Sequence, residues 1–198
     1  MAAKTLPNGL TNIHRFITTH DQSGKAVFSD AVAPEAKWDE IGKTSGFNFF
    51  LGYTTSNFPT SMKPSDEKDH KSEHEDIVSY KQHLETPPGL CVSSGTVCRF
   101  VDFAPGATPM MHRTASLDYG VVLDGTVECI LDSGEVRTMN KGDLCVQRAT
   151  NHAWKNVTEN GGWARMMFVL VGAEPPVVGG NTLGEELGAA ADGIKSSD

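Results

Sequence analysis

The 198-residue sequence has no run of about 18 apolar residues, so no segment has the length of a membrane-spanning helix. Its first residues, Met-Ala-Ala-Lys-Thr-Leu-Pro-Asn-Gly, lack the apolar stretch of a secretory signal, from which a cytoplasmic protein is expected. Positive charge is in deficit. Seventeen Lys and Arg stand against 25 Asp and Glu, a net charge of -8. A general nucleic-acid binder needs the opposite field, and an anionic membrane surface would not attract this chain. Cysteine is sparse: Cys91, Cys98, Cys129 and Cys145 form no CxxC pair and flank no histidine cluster, so a structural zinc site is not expected. All four read as reduced thiols. The glycine-rich loops that cradle phosphate are missing, as are GxSxG and any βαβ texture, and no bound NAD(P) or ATP is expected.

What is present is turn chemistry. Twenty Gly and ten Pro suit a β-rich chain better than a helical bundle. Strand-like runs cover 96–103, 117–123, 126–131, 135–139, 143–147 and 165–171, separated by Pro105-Gly106, Asp124-Gly125, Ser133-Gly134, Lys141-Gly142 and Asn160-Gly161-Gly162. Hairpin steps at that spacing predict an all-β sandwich or barrel. Upstream, Ile13–His20 and Lys25–Phe28 flank an Asp21–Gly24 turn and predict a hairpin, and Phe47–Thr55 predicts a further strand. Residues 60–76 are polar and of mixed charge, a solvated loop in which His70 and His74 read as surface histidines. The expected organisation is an arm at 1–37, a strand and polar loop at 38–90, a barrel at 91–174 and a loose tail at 175–198. A short helix is expected within Leu183–Ala191.

Two stretches carry candidate chemistry. In the first, Gly106, His112, Asp118 and Gly125 fall at the offsets of G-x5-H-x-H-x3-E-x6-G. In the second, Gly142, His152 and Asn156 match G-x5-P-x-G-x2-H-x3-N with one residue fewer before the histidine. These are the two motifs of the cupin superfamily, which the chain resembles over roughly residues 13–172. HRTxSLDYGVVLxG followed by GDxxVQRxTxHAWxN is similar to small single-domain cupins of fungal polyketide gene clusters, the cupin-domain oxidoreductases of the trichoxide and sordarial type. The resemblance implies a double-stranded β-helix (a jelly-roll barrel) with an N-terminal hairpin arm, and a homodimer built by exchanging that arm.

It also implies a divalent metal, Fe, Zn, Mn or Ni, held by His112, Asp118 and His152. Two imidazoles and a carboxylate make a facial set with open positions. Three departures bear on this. Thr114 stands where the second histidine is usual, Asp118 is one methylene shorter than glutamate, and Arg148 and Thr150 replace proline and glycine. The expected function is a metal-dependent oxidoreductase acting on an aromatic or polyketide-derived small molecule. Asp118, Arg148 and Tyr119 are its candidate catalytic residues, and Arg113, Trp154 and His20 its candidate substrate contacts. The alternatives are a lyase or isomerase on the same substrate class, or a metal-free binding protein. On the bland side, the histidines are hydrogen-bonded barrel residues and Asp118 a turn carboxylate. Arg113 and Arg148 are then surface charges, Trp154 and Tyr119 core, and His20 idle.

Overall fold

A computed structural model describes residues 5–41, 46–69, 72–188 and 194–197. The chain divides into two compact units, Met1–Lys37 and Trp38–Asp198. In the first, β1 (Thr18–His20) pairs antiparallel with β2 (Ala26–Phe28). Their turn is tied by Asp21, whose Oδ1 accepts from the Ser23 and Lys25 amides at 2.8 and 3.0 Å. Both strands are shorter than the expected runs, because little of the arm is buried.

The second unit is built of two antiparallel sheets. Its strands are β3 (Asp39–Ile41), β4 (Phe47–Thr55), β5 (Thr96–Phe103), β6 (Ser116–Asp124), β7 (Thr126–Leu131), β8 (Val136–Asn140), β9 (Leu144–Arg148), β10 (His152–Asn156) and β11 (Ala164–Gly172). One sheet has the order β3-β4-β5-β11-β6-β9 and the other β10-β7-β8. Two small strands, β12 (Val177–Val178) and β13 (Asn181–Thr182), make a hairpin after β11. This is a jelly-roll β-sandwich, as the sequence implied.

Alternation explains the layers. Val97, Val101 and Phe103 of β5, Met166, Phe168 and Leu170 of β11, and Trp154 of β10 are buried between the sheets. Two motif residues earn their places through the backbone. Gly125 turns β6 into β7 at φ 75°, and a Cβ there would meet Thr158 Oγ1 at 2.4 Å and the Ala164 Cα at 2.9 Å, so only glycine fits. Asn156 donates from Nδ2 to the carbonyls of Phe103 and Gly162 and accepts from the Thr158 amide, which fastens the β10–β11 loop to β5.

Three elements differ from expectation. A helix, α1 (Glu75–Glu85), begins inside the polar stretch. Its apolar face is narrow, with Ile77 and Tyr80 buried, and the Tyr80 hydroxyl donates to the Leu51 and Gly52 carbonyls where β4 bulges. His74 precedes the helix as its N-cap residue, and His70 lies outside the described residues. The tail is tied down. Glu186 bridges Arg113 through paired backbone hydrogen bonds of 2.7 and 2.9 Å, and the Ser197 hydroxyl bonds to Glu185 and to Cys91. Residues 183–187 are not helical, Gly188 has 3-10 geometry, and 189–191 lie outside the described residues. None of the described helices is long and apolar enough to cross a membrane.

Candidate functional site

His112 and His152 face each other across an isolated antiparallel bridge. Each backbone N–H donates to the other's carbonyl at 2.9 Å. Directly opposed residues of such a pair project to the same side, and the rings lie 4.4 Å apart between centroids. Each Nδ1 lies 2.9 Å from a backbone carbonyl two residues earlier in the chain, Met110 for His112 and Thr150 for His152. Those contacts place the ring proton on Nδ1 and leave Nε2 with a lone pair. Burial pushes both imidazoles below the ordinary histidine range, and the His112 ring beside it takes His152 down further, to about 3. At neutral pH both rings are neutral, the form that ligates a metal.

Asp118 comes from β6, where Ser116, Asp118, Gly120 and Val122 point inward. Ser116 Oγ lies 2.5 Å from Asp118 Oδ1 and 2.8 Å from Thr114 Oγ1, and Thr114 Oγ1 lies 3.4 Å from Asp118 Oδ2. Burial raises the Asp118 carboxyl to about 6, against the lowering effect of the Ser116 and Thr114 hydroxyls. Thr114, at the position where the motif carries a second histidine, is thus a hydrogen-bonding neighbour of the carboxylate. No group of three or more His, Cys, Asp or Glu converges as a metal site among the described residues. Of the expected three-ligand set, the two imidazoles face each other and Asp118 lines the same cavity, hydrogen-bonded to Ser116 and Thr114.

The cavity over these groups has a volume of about 80 Å³, and its walls include Phe49, Met110, Trp154, Phe168 and Leu170. By the usual volume per buried water it holds several solvent molecules. Trp154, an expected substrate contact, is one of its walls and meets the His152 ring edge-on at 5.9 Å.

Four other expected positions are not among the cavity's walls. Tyr119 and Arg148 are on the outer face of β6 and β9, because the inward positions of those strands are the even residues of β6 and Cys145 and Gln147 of β9. Arg113 is committed to the tail, donating from Nε to the Gly184 carbonyl at 2.7 Å and from Nη2 to Glu186 at 2.8 Å. His20 is the exposed last residue of β1 in the arm unit.

Two cavity residues were not singled out by the sequence. Gln147, directly opposite Asp118 in register, is 3% exposed, and neither its Oε1 nor its Nε2 has a hydrogen-bond partner. Arg99, 6% exposed, holds its guanidinium 4.9 Å from the centre of the Phe49 ring and donates from Nη2 to the Gly89 carbonyl. Burial pushes it down to about 10. Strict parity along TVCRFVDF, which puts Arg99 on the same face as Val97 and Val101, was the available signal.

No protein-family model matches the chain. Phomopsin biosynthesis cluster protein C' of Diaporthe leptostromiformis is 41% identical over 179 residues, 90% of this chain and 88% of that one. The cupin-domain-containing oxidoreductase fogC of Aspergillus ruber is 37% identical over 185 residues, 92% of this chain and 84% of that one. Among solved structures, an RmlC-like cupin from Shewanella frigidimarina aligns with a TM-score of 0.41 at 12% identity, over 70% of this chain and 85% of the other. With its motif histidines paired inside a jelly roll and a relative of that identity and coverage, the chain belongs to the family of cupin-domain-containing oxidoreductases of fungal biosynthesis clusters.

Proposed function

We propose that the protein is a metal-dependent cupin enzyme of secondary metabolism, an oxidoreductase acting on a small aromatic or polyketide-derived molecule. The observation that carries this reading is the His112–His152 pair: two neutral imidazoles, fixed through Nδ1, that share one side of a backbone bridge at an apolar cavity. Nitrogen donors of this kind suit Fe, Zn, Mn or Ni. The donor set present fits two protein ligands, with the remaining positions left to water and substrate. A metal held there supplies Lewis acidity and, as iron, one-electron chemistry.

The chain's own groups supply the rest. Asp118, titrating near neutrality, holds or takes a proton at Oδ2 while Ser116 fixes Oδ1. Trp154 and Phe168 exclude water and orient a flat substrate. The same acid–base group and polarising centre also serve a lyase or isomerase.

The test is metal analysis of protein purified without a histidine tag. Stoichiometric metal is expected, lost in both His112→Ala and His152→Ala together with activity. Metal-free wild-type protein, with His112→Ala fully active, overturns the reading. In that case a second reading stands, a metal-free binding protein. It is favoured by one observation: Asp118 is bonded to Ser116 and does not converge with the imidazoles.

A further inference from the structure

The cavity holds two polar side chains that the proposed metal chemistry does not use. Arg99 sits at an inward position of β5, among Val97, Val101 and Phe103. A buried cation is ordinarily matched by a carboxylate, since leaving it unpaired is strongly unfavourable. Among the described residues no acidic side chain forms an ion pair with Arg99. Its contacts are the Gly89 carbonyl and the face of Phe49. A guanidinium carries five donors in a planar fork, and the one hydrogen bond to Gly89 leaves most of that fork uncommitted.

Arg99 also stands at a junction. Together with Phe49 and Ile194 it lines both the inner cavity and an outer hollow of about 250 Å³, which is bordered by Pro87, Pro88 and Lys195 and by Asp39, which forms no ion pair with Arg99. Inside, Gln147 lines the same cavity, its amide buried and without a partner among the described residues. In register, Asp118 on β6 lies opposite both Gln147 on β9 and Leu170 on β11. Arg99 lies across β11, opposite Phe168. That separates the backbones of Arg99 and Asp118 by two strand spacings across the sheet and two residues along it, roughly 12 Å. A cation with no counter-ion among the described residues, an amide with no partner among them and an apolar wall describe the complement of a ligand. The ligand has an anionic end, an apolar body and a second oxygen function.

We infer that the cavity is built for a small carboxylic acid, its carboxylate received by Arg99 and its second polar group held by Gln147 beside the His112–His152 pair. The inference rests on the proposed substrate site and adds the substrate's charge. It also takes the place of Arg113, the basic residue expected as a substrate contact, whose side chain is not among the cavity's walls.

The probes are benzoate and its neutral isostere benzamide, titrated by calorimetry into the full-length protein as purified and after removal of metal. Charge-assisted, forked hydrogen bonding should make benzoate bind about tenfold or more tightly than benzamide. Arg99→Met should erase the preference by weakening benzoate alone, and Arg99→Lys should keep part of it. Removing metal should leave the preference intact. Three results overturn the inference. The first is equal binding, or no binding, of the two probes in the wild type. The second is a preference that survives Arg99→Met. The third is a preference that disappears with the metal, which would put the carboxylate on the metal instead. The wild-type comparison needs no variant, so a misfolded Arg99→Met would not shield the idea. The two proposals fail separately. Protein without metal but with an Arg99-dependent preference sinks only the metal reading, and stoichiometric metal without a preference sinks only this one.

Discussion

The space between the two sheets is furnished differently at its two ends. Around Val127, Met139, Ala164 and Met166 it is apolar and buried. Around His112, Ser116, Asp118, Gln147 and His152 it is polar, and it includes an amide with no partner. The first arrangement is what folding favours, and the second what folding resists. Sheet registers join them through the same strands, β5, β6 and β11. The apolar end therefore supplies the stability that lets the polar end keep groups no stable core would choose.

The contrast can be broken from the polar side first. Asp118→Asn should lower turnover by about 100- to 10,000-fold, the usual worth of a positioned acid or base. It should also stabilise the fold. A carboxyl raised from 3.8 to about 6 binds its proton more tightly in the folded state, so wild-type stability falls as pH rises through that window. Asparagine has no such loss, and the variant should gain up to about 3 kcal/mol at pH 7 by urea unfolding. A less stable Asp118→Asn would mean that the carboxylate is a structural partner of Ser116 and nothing more.

His152 carries the opposite sign. With a folded pKa near 3, it stays neutral while the unfolded chain takes up a proton below about 6.5. Stability should drain away as pH falls from 6.5 toward 3, by an amount on the order of 4 kcal/mol, and His152→Gln should flatten that slope. At the other end of the interior, Met166→Ala should cost about 2–5 kcal/mol through the cavity it leaves. Because Met166 is not a wall of the candidate site, activity measured below the lowered Tm should persist.

How much of this could be read beforehand follows the same division. Strands whose inner face is apolar and outer face polar were legible. β5 and β7 occupy the runs 96–103 and 126–131 marked by alternation alone, and the motif spacing placed His112 and His152 in one cavity. At β6 and β9 the pattern inverts. Tyr119, Leu144 and Val146 are 42, 56 and 49% exposed, while Ser116, Asp118 and Gln147 are buried. Reading hydrophobicity as inwardness there selects Tyr119 and Arg148 and passes over Gln147. The short helix was hidden because its buried side chains are Ile77 and Tyr80, and hydrogen bonds between Tyr53 and Asp76 and between Thr54 and His83 do the rest. The tail was hidden because backbone bridges, Ser197 and an arginine hold it, which leave no periodic trace.

The smallest expected effect separates the two ends most cleanly. Gln147 lies against Asp118 in the β6–β9 ladder, and its amide is cut off from solvent and from every partner. A buried amide in that state is unfavourable by about 1–3 kcal/mol relative to a group that needs no hydrogen bonds. Gln147→Leu keeps much of the volume and removes the polar atoms. If the amide is there for a ligand, the variant should unfold about 1–3 kcal/mol later in urea and bind the substrate more weakly. The measurement is a pair of curves, unfolding and ligand titration, on the same protein. Stability and binding that fall together would assign Gln147 to the packing of the sheet, and the polar end would lose its claim to be built around something it binds.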